Sequence, residues 1–240
     1  MKAGILIQSG KLNSFDFVCH GFGVRGKTVP EYLDALEIKD RFLVDTDQVH
    51  GNTVHCLMYP ARPRNFSAGV GCSNPALKGD AFITDRPGMV CFVRTADCVP
   101  VLIADPKRRV VGAVHAGWRG IVGGVIPETI KAMKAVYGSD AGDCVAAIGP
   151  HICKKCFEVG SEVVDEFRKK FSGDFWLNDE KHIDLNVSAR SELVHCGVDE
   201  LKIDDLAECT YCSERFNSFR RDNSENERQF NFIIILGSDD

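Results

Sequence analysis

The sequence predicts an α/β or α+β protein with layered packing. Short apolar runs rich in β-branched residues alternate with segments of helical period. The two kinds are mixed along the chain rather than segregated. The 240 residues suit one large core, since single cores stop growing near ~250–300 residues. The strand candidates are Met89–Arg94, Val99–Ala104, Val110–His115, Val145–Ile148 and Phe230–Leu236, each short and apolar. One helix is expected to open at Pro127, where a missing N–H costs least. Its apolar face is Ile126, Ile130, Met133 and Tyr137, and Gly138 can end it. A second, about 160–172, carries Val163, Val164, Phe167 and Phe171. A third, about 185–196, carries Leu185, Ala189, Leu193 and Cys196. The stretch 59–79 is rich in Pro, Gly, Ser and Asn and reads as a long functional loop inside a single domain spanning 1–240.

Composition narrows the function classes. A hydrophobic fraction of 44% and a charged fraction of 26% describe a globular chain. The formal net charge of −5 argues against a nucleic-acid binder. The basic run Lys107-Arg108-Arg109 reads as a solvated turn. No segment reaches the ~18 apolar residues of a membrane span, and the first residues do not form a secretory signal, so a cytoplasmic location is expected. Eleven cysteines, an odd number spread over the chain, argue against a disulfide framework. Most read as small buried hydrophobes.

The chemistry concentrates around residues 98–115. Asp105-Pro106 starts a turn between two apolar runs, which predicts an antiparallel hairpin. With the turn centred between Lys107 and Arg108, Val99 faces Ala116 and Pro100 faces His115. Cys98, one step beyond, then faces Gly117. Cys98 and His115 therefore share one end of the hairpin. Such a pair reads either as a nucleophile with its base or as two ligands of zinc or copper. A metal needs a third ligand, and His50, set before Gly51, is the best candidate. His55 has no such surroundings. Two further cysteine pairs, Cys153/Cys156 and Cys209/Cys212, have the C-x-x-C form of structural zinc sites. They are separated by 52 residues against the usual ~15–20, and buried or incidental thiols are the preferred reading.

The motifs QVHGNTV (48–54), GDAFIT (79–84), RTADCVPVLIADP (94–106), VHAGWRG (114–120), IGP (148–150), FEVG (157–160), HIDL (182–185), CTY (209–211) and FNSFRRD (216–222) occur in that order. Together they resemble the YfiH-like family, also called the laccase-domain or multicopper polyphenol oxidoreductase family, from about residue 15 to the end. The resemblance implies a three-layer α/β/α domain with a mixed sheet. It implies a metal site of His50, Cys98 and His115, holding zinc or, in some assignments, copper. The activities it implies are phosphorolysis of adenosine, inosine and S-methyl-5′-thioadenosine, and deamination of adenosine. Laccase-like phenol oxidation and peptidoglycan editing are also attached to the family. The chain departs from the family pattern at His151 and Phe157.

Chemical requirements rank these activities. A multicopper oxidase needs a histidine-rich trinuclear cluster beside its blue copper, and the chain has seven histidines. Three protein ligands with an open fourth position suit a catalytic zinc acting on a purine nucleoside. Asp80, Asp97 and Glu158 are the candidate proton-transfer carboxylates. Arg119, four residues after His115, is the candidate phosphate group, with Arg220 and Arg221 behind it. Trp118 reads as core packing or as a stacking surface. A metal-free Cys98/His115 hydrolase and a non-catalytic binding module remain as alternatives.

Overall fold

The computed structural model describes residues 6–38, 41–57 and 72–237. In chain order its strands and helices are β1 Leu6–Ile7, β2 Val18–Gly23, α1 Val29–Ala35, β3 Phe42–Asp47, β4 Val54–Cys56, β5 Cys72–Lys78 and β6 Ala81–Thr84. There follow β7 Met89–Thr95, β8 Val99–Asp105, β9 Val110–Ala116, α2 Trp118–Gly123, α3 Val125–Tyr137 and β10 Val145–Ile148. The chain ends with α4 Ser161–Lys170, α5 Leu185–His195, β11 Ile203–Asp205, α6 Phe219–Asp222 and β12 Gln229–Ile235. All five expected strands are present, each within one residue of its expected ends.

The strands form two six-stranded sheets. The first runs β1-β2-β12-β7-β3-β5, antiparallel except for the β7-β3-β5 edge. The second runs β11-β10-β8-β9-β6-β4, antiparallel except at its two edges. Both are mixed sheets, and helices cover the outer face of each. Val29, Tyr32 and Leu33 of α1 pack on Val90, Phe92 and Phe232 of the first sheet. The face of the second sheet carrying Val99, Val101 and Val114 packs on Ile126, Ile130, Phe167 and Leu193 of α3, α4 and α5. The α/β architecture is the expected one, and its β layer is two sheets thick. Leu102, Ala104, Val111 and Ala113 meet Phe22, Met89, Val93 and Ile233 between the sheets. Strands apolar on both faces, such as β8 and β9, are buried on both.

Two expectations need correction. Helix α3 begins at Val125, not Pro127. Gly124, at φ 79°, ends α2 and starts α3, so the glycine sets the boundary. Pro127 is tolerated because it still lies in the first turn, where no intrahelical N–H bond is required. The Trp118–Gly123 segment is helical, which its two glycines had concealed. Of the expected loop 59–79, residues 59–71 lie outside the described residues, and Cys72–Lys78 is a strand parallel to β3. The β8–β9 hairpin has the expected register throughout, from Val99↔Ala116 and Pro100↔His115 to Asp105↔Val110. Asp105 Oδ1 accepts the N–H of Lys107 and of Arg108 (2.9 and 3.1 Å), which closes the turn. Among the described residues no helix is long and apolar enough to cross a membrane.

One buried contact joins the two sheets. Ser9 donates its backbone N–H to His20 Nε2 of β2 (2.9 Å) and its hydroxyl to Asp204 Oδ2 of β11 (2.6 Å). His20 is fully buried. Burial lowers its pKa from 6.5 to about 4, against the opposing pull of Asp204. The folded chain therefore refuses a proton that the unfolded chain accepts. Stability from this group is complete above pH 6.5 and falls as pH drops from 6.5 toward 4, by up to about 3 kcal/mol. Urea unfolding at pH 7 and pH 5 should show about 2 kcal/mol of that loss in the wild type and a smaller one in His20→Gln. Equal pH dependence in the two proteins would assign the acid sensitivity elsewhere.

Candidate metal centre

The β8–β9 hairpin fixes the first two groups. Side chains alternate along β9, so His115 falls on the same face as Val111 and Ala113, toward the first sheet. Cys98 precedes β8 on the matching side, opposite Gly117. His50 arrives from the loop after β3. The donor atoms of His50, Cys98 and His115 lie within 4.8 Å of one another, and the two imidazole rings stand edge to face with centroids 4.8 Å apart. Gly117 makes room for the cluster. A Cβ there would sit 3.0 Å from both Cys98 Sγ and His50 Cδ2.

Asp80 holds this arrangement. It is fully buried, and its carboxylate accepts from the N–H groups of Val49 (3.3 Å), His50 (2.9 Å) and Gly51 (2.7 Å), and from His115 Nδ1 (2.8 Å). A carboxylate only accepts, so Nδ1 carries the proton and Nε2 of His115 is left as the donor atom toward the cluster. The three N–H bonds hold His50 at φ 58°, a left-handed conformation that costs a non-glycine residue about 1 kcal/mol or more. Burial pushes the Asp80 carboxyl upward, but His115 and the loop N–H groups outweigh it and hold it below its ordinary value. Burial likewise opposes charge on Cys98. The charge and hydrogen bond of His115, with a hydrogen bond from His50, prevail and bring the Cys98 thiol down to about 6. Burial disfavours charge on His115 as well, yet Cys98 and Asp80 raise it to about 9. The thiolate form, which is both the nucleophilic and the metal-binding form, is thus the favoured one.

The cluster borders a cavity of about 740 Å³ that opens where the ends of the two sheets meet. Arg119 and Arg220 line it. Among the described residues neither guanidinium has a carboxylate partner; Arg119 stacks on Trp118 (4.3 Å to the ring centroid) and Arg220 lies over Phe157 (5.6 Å). Trp118 is half-buried, so it both packs on the core and walls the cavity. Arg221 differs from its neighbour. Its guanidinium donates to the carbonyls of Thr210, Tyr211, Ser213 and Phe216 and pairs with Asp222, which makes it a clamp on its own loop. His55 stands apart, with Nε2 against the Lys78 carbonyl (2.9 Å).

The expected proton-transfer carboxylates are all otherwise engaged. Asp80 has spent its oxygens on the loop and His115. Asp97 lines the cavity, but its oxygens accept from Thr210 Oγ1 and the Arg220 N–H, both at 2.7 Å. Glu158 is exposed, 4.0 Å from Lys181, in a separate surface depression. The cavity carboxylates without a hydrogen-bond partner among the described residues are Asp47 and Glu225. Asp47 lies three residues before His50, a proximity that was a usable signal. Glu225 sits in a polar stretch with nothing in the sequence to distinguish it.

The fold and the cluster define the class: a two-sheet α/β protein with two histidines and a cysteine at the end of its inter-sheet layer. The chain belongs to the family described as multi-copper polyphenol oxidoreductase laccase, whose family model matches residues 27–236. It is 39% identical over 169 residues to a protein named adenosine deaminase RL5 from an unknown prokaryote. That match covers 66% of this chain and 63% of the relative. It is 37% identical over 164 residues to the purine nucleoside phosphorylase YfiH of Escherichia coli K12, covering 66% of this chain and 65% of that one. The matched part thus spans a little under two thirds of these relatives. Among solved structures, a YfiH protein of Bacillus licheniformis superposes with a TM-score of 0.77 at 26% identity, over 91% of this chain and 92% of that one. YlmD of Geobacillus stearothermophilus shares the fold with a TM-score of 0.81 at 23% identity, over 99% and 98% of the two chains.

Because Asp80 satisfies three backbone donors and one imidazole in a buried place, Asp80→Ala is expected to destabilise the protein by roughly 3 kcal/mol or more. Asp80→Asn, which keeps one acceptor oxygen, should lose less. Urea unfolding of the two variants checks the order; equal and small losses would deny Asp80 its organising role.

Proposed function

We propose that the chain is a zinc-dependent purine nucleoside enzyme acting by phosphorolysis on adenosine, inosine and S-methyl-5′-thioadenosine, with His50, Cys98 and His115 as the metal ligands. The observation that carries the reading is one cavity bordered by a His₂Cys donor set and by Arg119 and Arg220, exposed arginines that lack carboxylate partners among the described residues. The names of the relatives support it. The donor set fits zinc: imidazole nitrogen and thiolate are its ordinary ligands, and a carboxylate behind a ligating histidine is the usual support. The same donors accept copper. Bound there, the ion supplies Lewis-acid polarisation at the cavity wall.

The chain's own residues supply the rest. Arg119 and Arg220 offer planar forks that match phosphate oxygens. A phosphate oxygen attacks C1′ of the ribose, the C1′–N9 bond breaks with its electron pair passing to the purine, and the departing base takes up a proton. Asp47 and Glu225 are the carboxylates with oxygens available to handle that proton. Phe157 and Phe219 give the base apolar surface. Asp80 acts as a positioning residue through His115 and the His50 loop. Adenosine deamination is the second reading, favoured by the relative named for that activity. The full multicopper reading lacks donors: among the described residues the only groups of three or more metal-binding side chains are this one and a four-cysteine group.

Incubation of the zinc-loaded protein with adenosine is expected to release adenine and ribose 1-phosphate only when phosphate is present. Inosine formed without phosphate would shift the assignment to deamination, and no turnover of any of the three nucleosides would sink both readings. Arg119→Ala is expected to raise the KM for phosphate about 10- to 100-fold, the loss of a charge-assisted hydrogen bond, with a smaller effect on the KM for adenosine. An unchanged phosphate KM removes Arg119 from the phosphate site.

A further inference from the structure

The second group of metal-type donors lies away from the cavity floor. Cys153, Cys156, Cys209 and Cys212 bring their four sulfurs within 4.8 Å of one another. The first three are half-buried and Cys212 is exposed. Sequence spacing argued against a joint site, because 52 residues separate the pairs. The fold removes that objection. The backbone at His151 and Cys209 forms a parallel bridge, with His151 N donating to Glu208 O (3.1 Å) and Thr210 N to His151 O (3.0 Å). Each C-x-x-C segment turns back on itself: the Cys153 carbonyl accepts from Cys156 N (2.9 Å) and Phe157 N (3.1 Å), and the Cys209 carbonyl accepts from Ser213 N (3.2 Å).

We infer that these four cysteines form a structural tetrathiolate site for a divalent zinc ion, distinct from the His50–Cys98–His115 cluster. The separations select a metal over a bond. Cys153 and Cys156 sulfurs are 3.6 Å apart, and those of Cys156 and Cys212 are 3.4 Å apart. A disulfide needs about 2.05 Å. Four sulfurs about 2.3 Å from a tetrahedral zinc stand about 3.8 Å from each other. The donor chemistry agrees, since an all-thiolate tetrahedral set selects zinc or iron over the other common metals. A backbone N–H supports a thiolate across the two pairs, from Cys153 N to Cys209 Sγ at 3.3 Å. Four thiolates at these separations repel one another unless a cation lies between them. A dication accommodates all four as thiolates.

The site joins two walls of the cavity. The 153–156 turn is flanked by Ile152 and Phe157, and the 209–212 turn leads through the loop clamped by Arg221 to Phe219 and Arg220. Its loss should therefore loosen the substrate pocket without removing a ligand of the other cluster.

The test uses the full chain with His50, Cys98 and His115 all replaced by alanine, purified under reducing conditions. That variant is expected to retain one equivalent of zinc, with X-ray absorption showing four sulfur neighbours at about 2.3 Å and no imidazole scattering. Less than a tenth of an equivalent of zinc, iron in its place, or a nitrogen-containing shell would overturn the proposal. Cys156→Ser/Cys212→Ser in the wild-type background should lose one equivalent while the other cluster keeps its own. If that variant does not fold, non-reducing mass spectrometry of the wild type still decides: two disulfides among the four cysteines overturn the site, and four alkylatable thiols released only with the metal support it.

Discussion

The carboxylate of Asp80 is the constraint on which the functional end of the molecule depends. A buried charge is costly unless it is fully hydrogen-bonded. Here four donors meet it, three from one loop and one from the end of β9. The backbone of the same residue adds to the junction. Its carbonyl accepts the His115 N–H at 2.7 Å and its N–H donates to Thr53 O at 3.1 Å. A loop from the first sheet and a strand end from the second are thereby held together by one residue at the start of β6. The positions of His50 and His115 follow from that junction.

The cavity inherits its character from the same seam. One wall comes from the ends of β3, β7 and β12, the other from β9 and α2, and the segments after β10 and β11 close it. Among the described residues Arg119 and Arg220, the exposed arginines of the cavity, have no carboxylate partner, whereas Arg221, adjacent to Arg220 in sequence, is bound to four carbonyls and Asp222. Two neighbouring residues of one type thus divide into a free cation and a structural clamp. The division follows from α6, a single turn whose start is tied to Asp97 through the Arg220 N–H and to Ser218 Oγ through the Arg221 N–H.

Much of this was legible in the sequence where local rules suffice. The β8–β9 register followed from counting outward from a turn that Asp105 and Pro106 mark, so the Cys98–His115 neighbourhood was available without a structure. The doubled β layer was not. A strand apolar on both faces, such as Val99–Asp105, reads the same whether its second face meets a helix or another sheet. Asp80 was named as a proton-transfer candidate because a carboxylate near a ligand invites that reading; its saturation by loop N–H groups is a tertiary fact. The proximity of the four cysteines was hidden for a related reason. Loop-length rules describe sites that organise a short chain, and here an existing fold brings the two turns together.

The left-handed His50 has a consequence for how the motif can be used. Most residues reach that conformation only against a steric penalty, and here it persists because a carboxylate thirty positions later in the chain compensates it. QVHG is therefore half of a device. Copied into another scaffold without a buried acceptor beneath it, the tetrapeptide would relax to an ordinary loop and its imidazole would turn away. The histidine donor is a property of two strands meeting, and it does not travel as a short string.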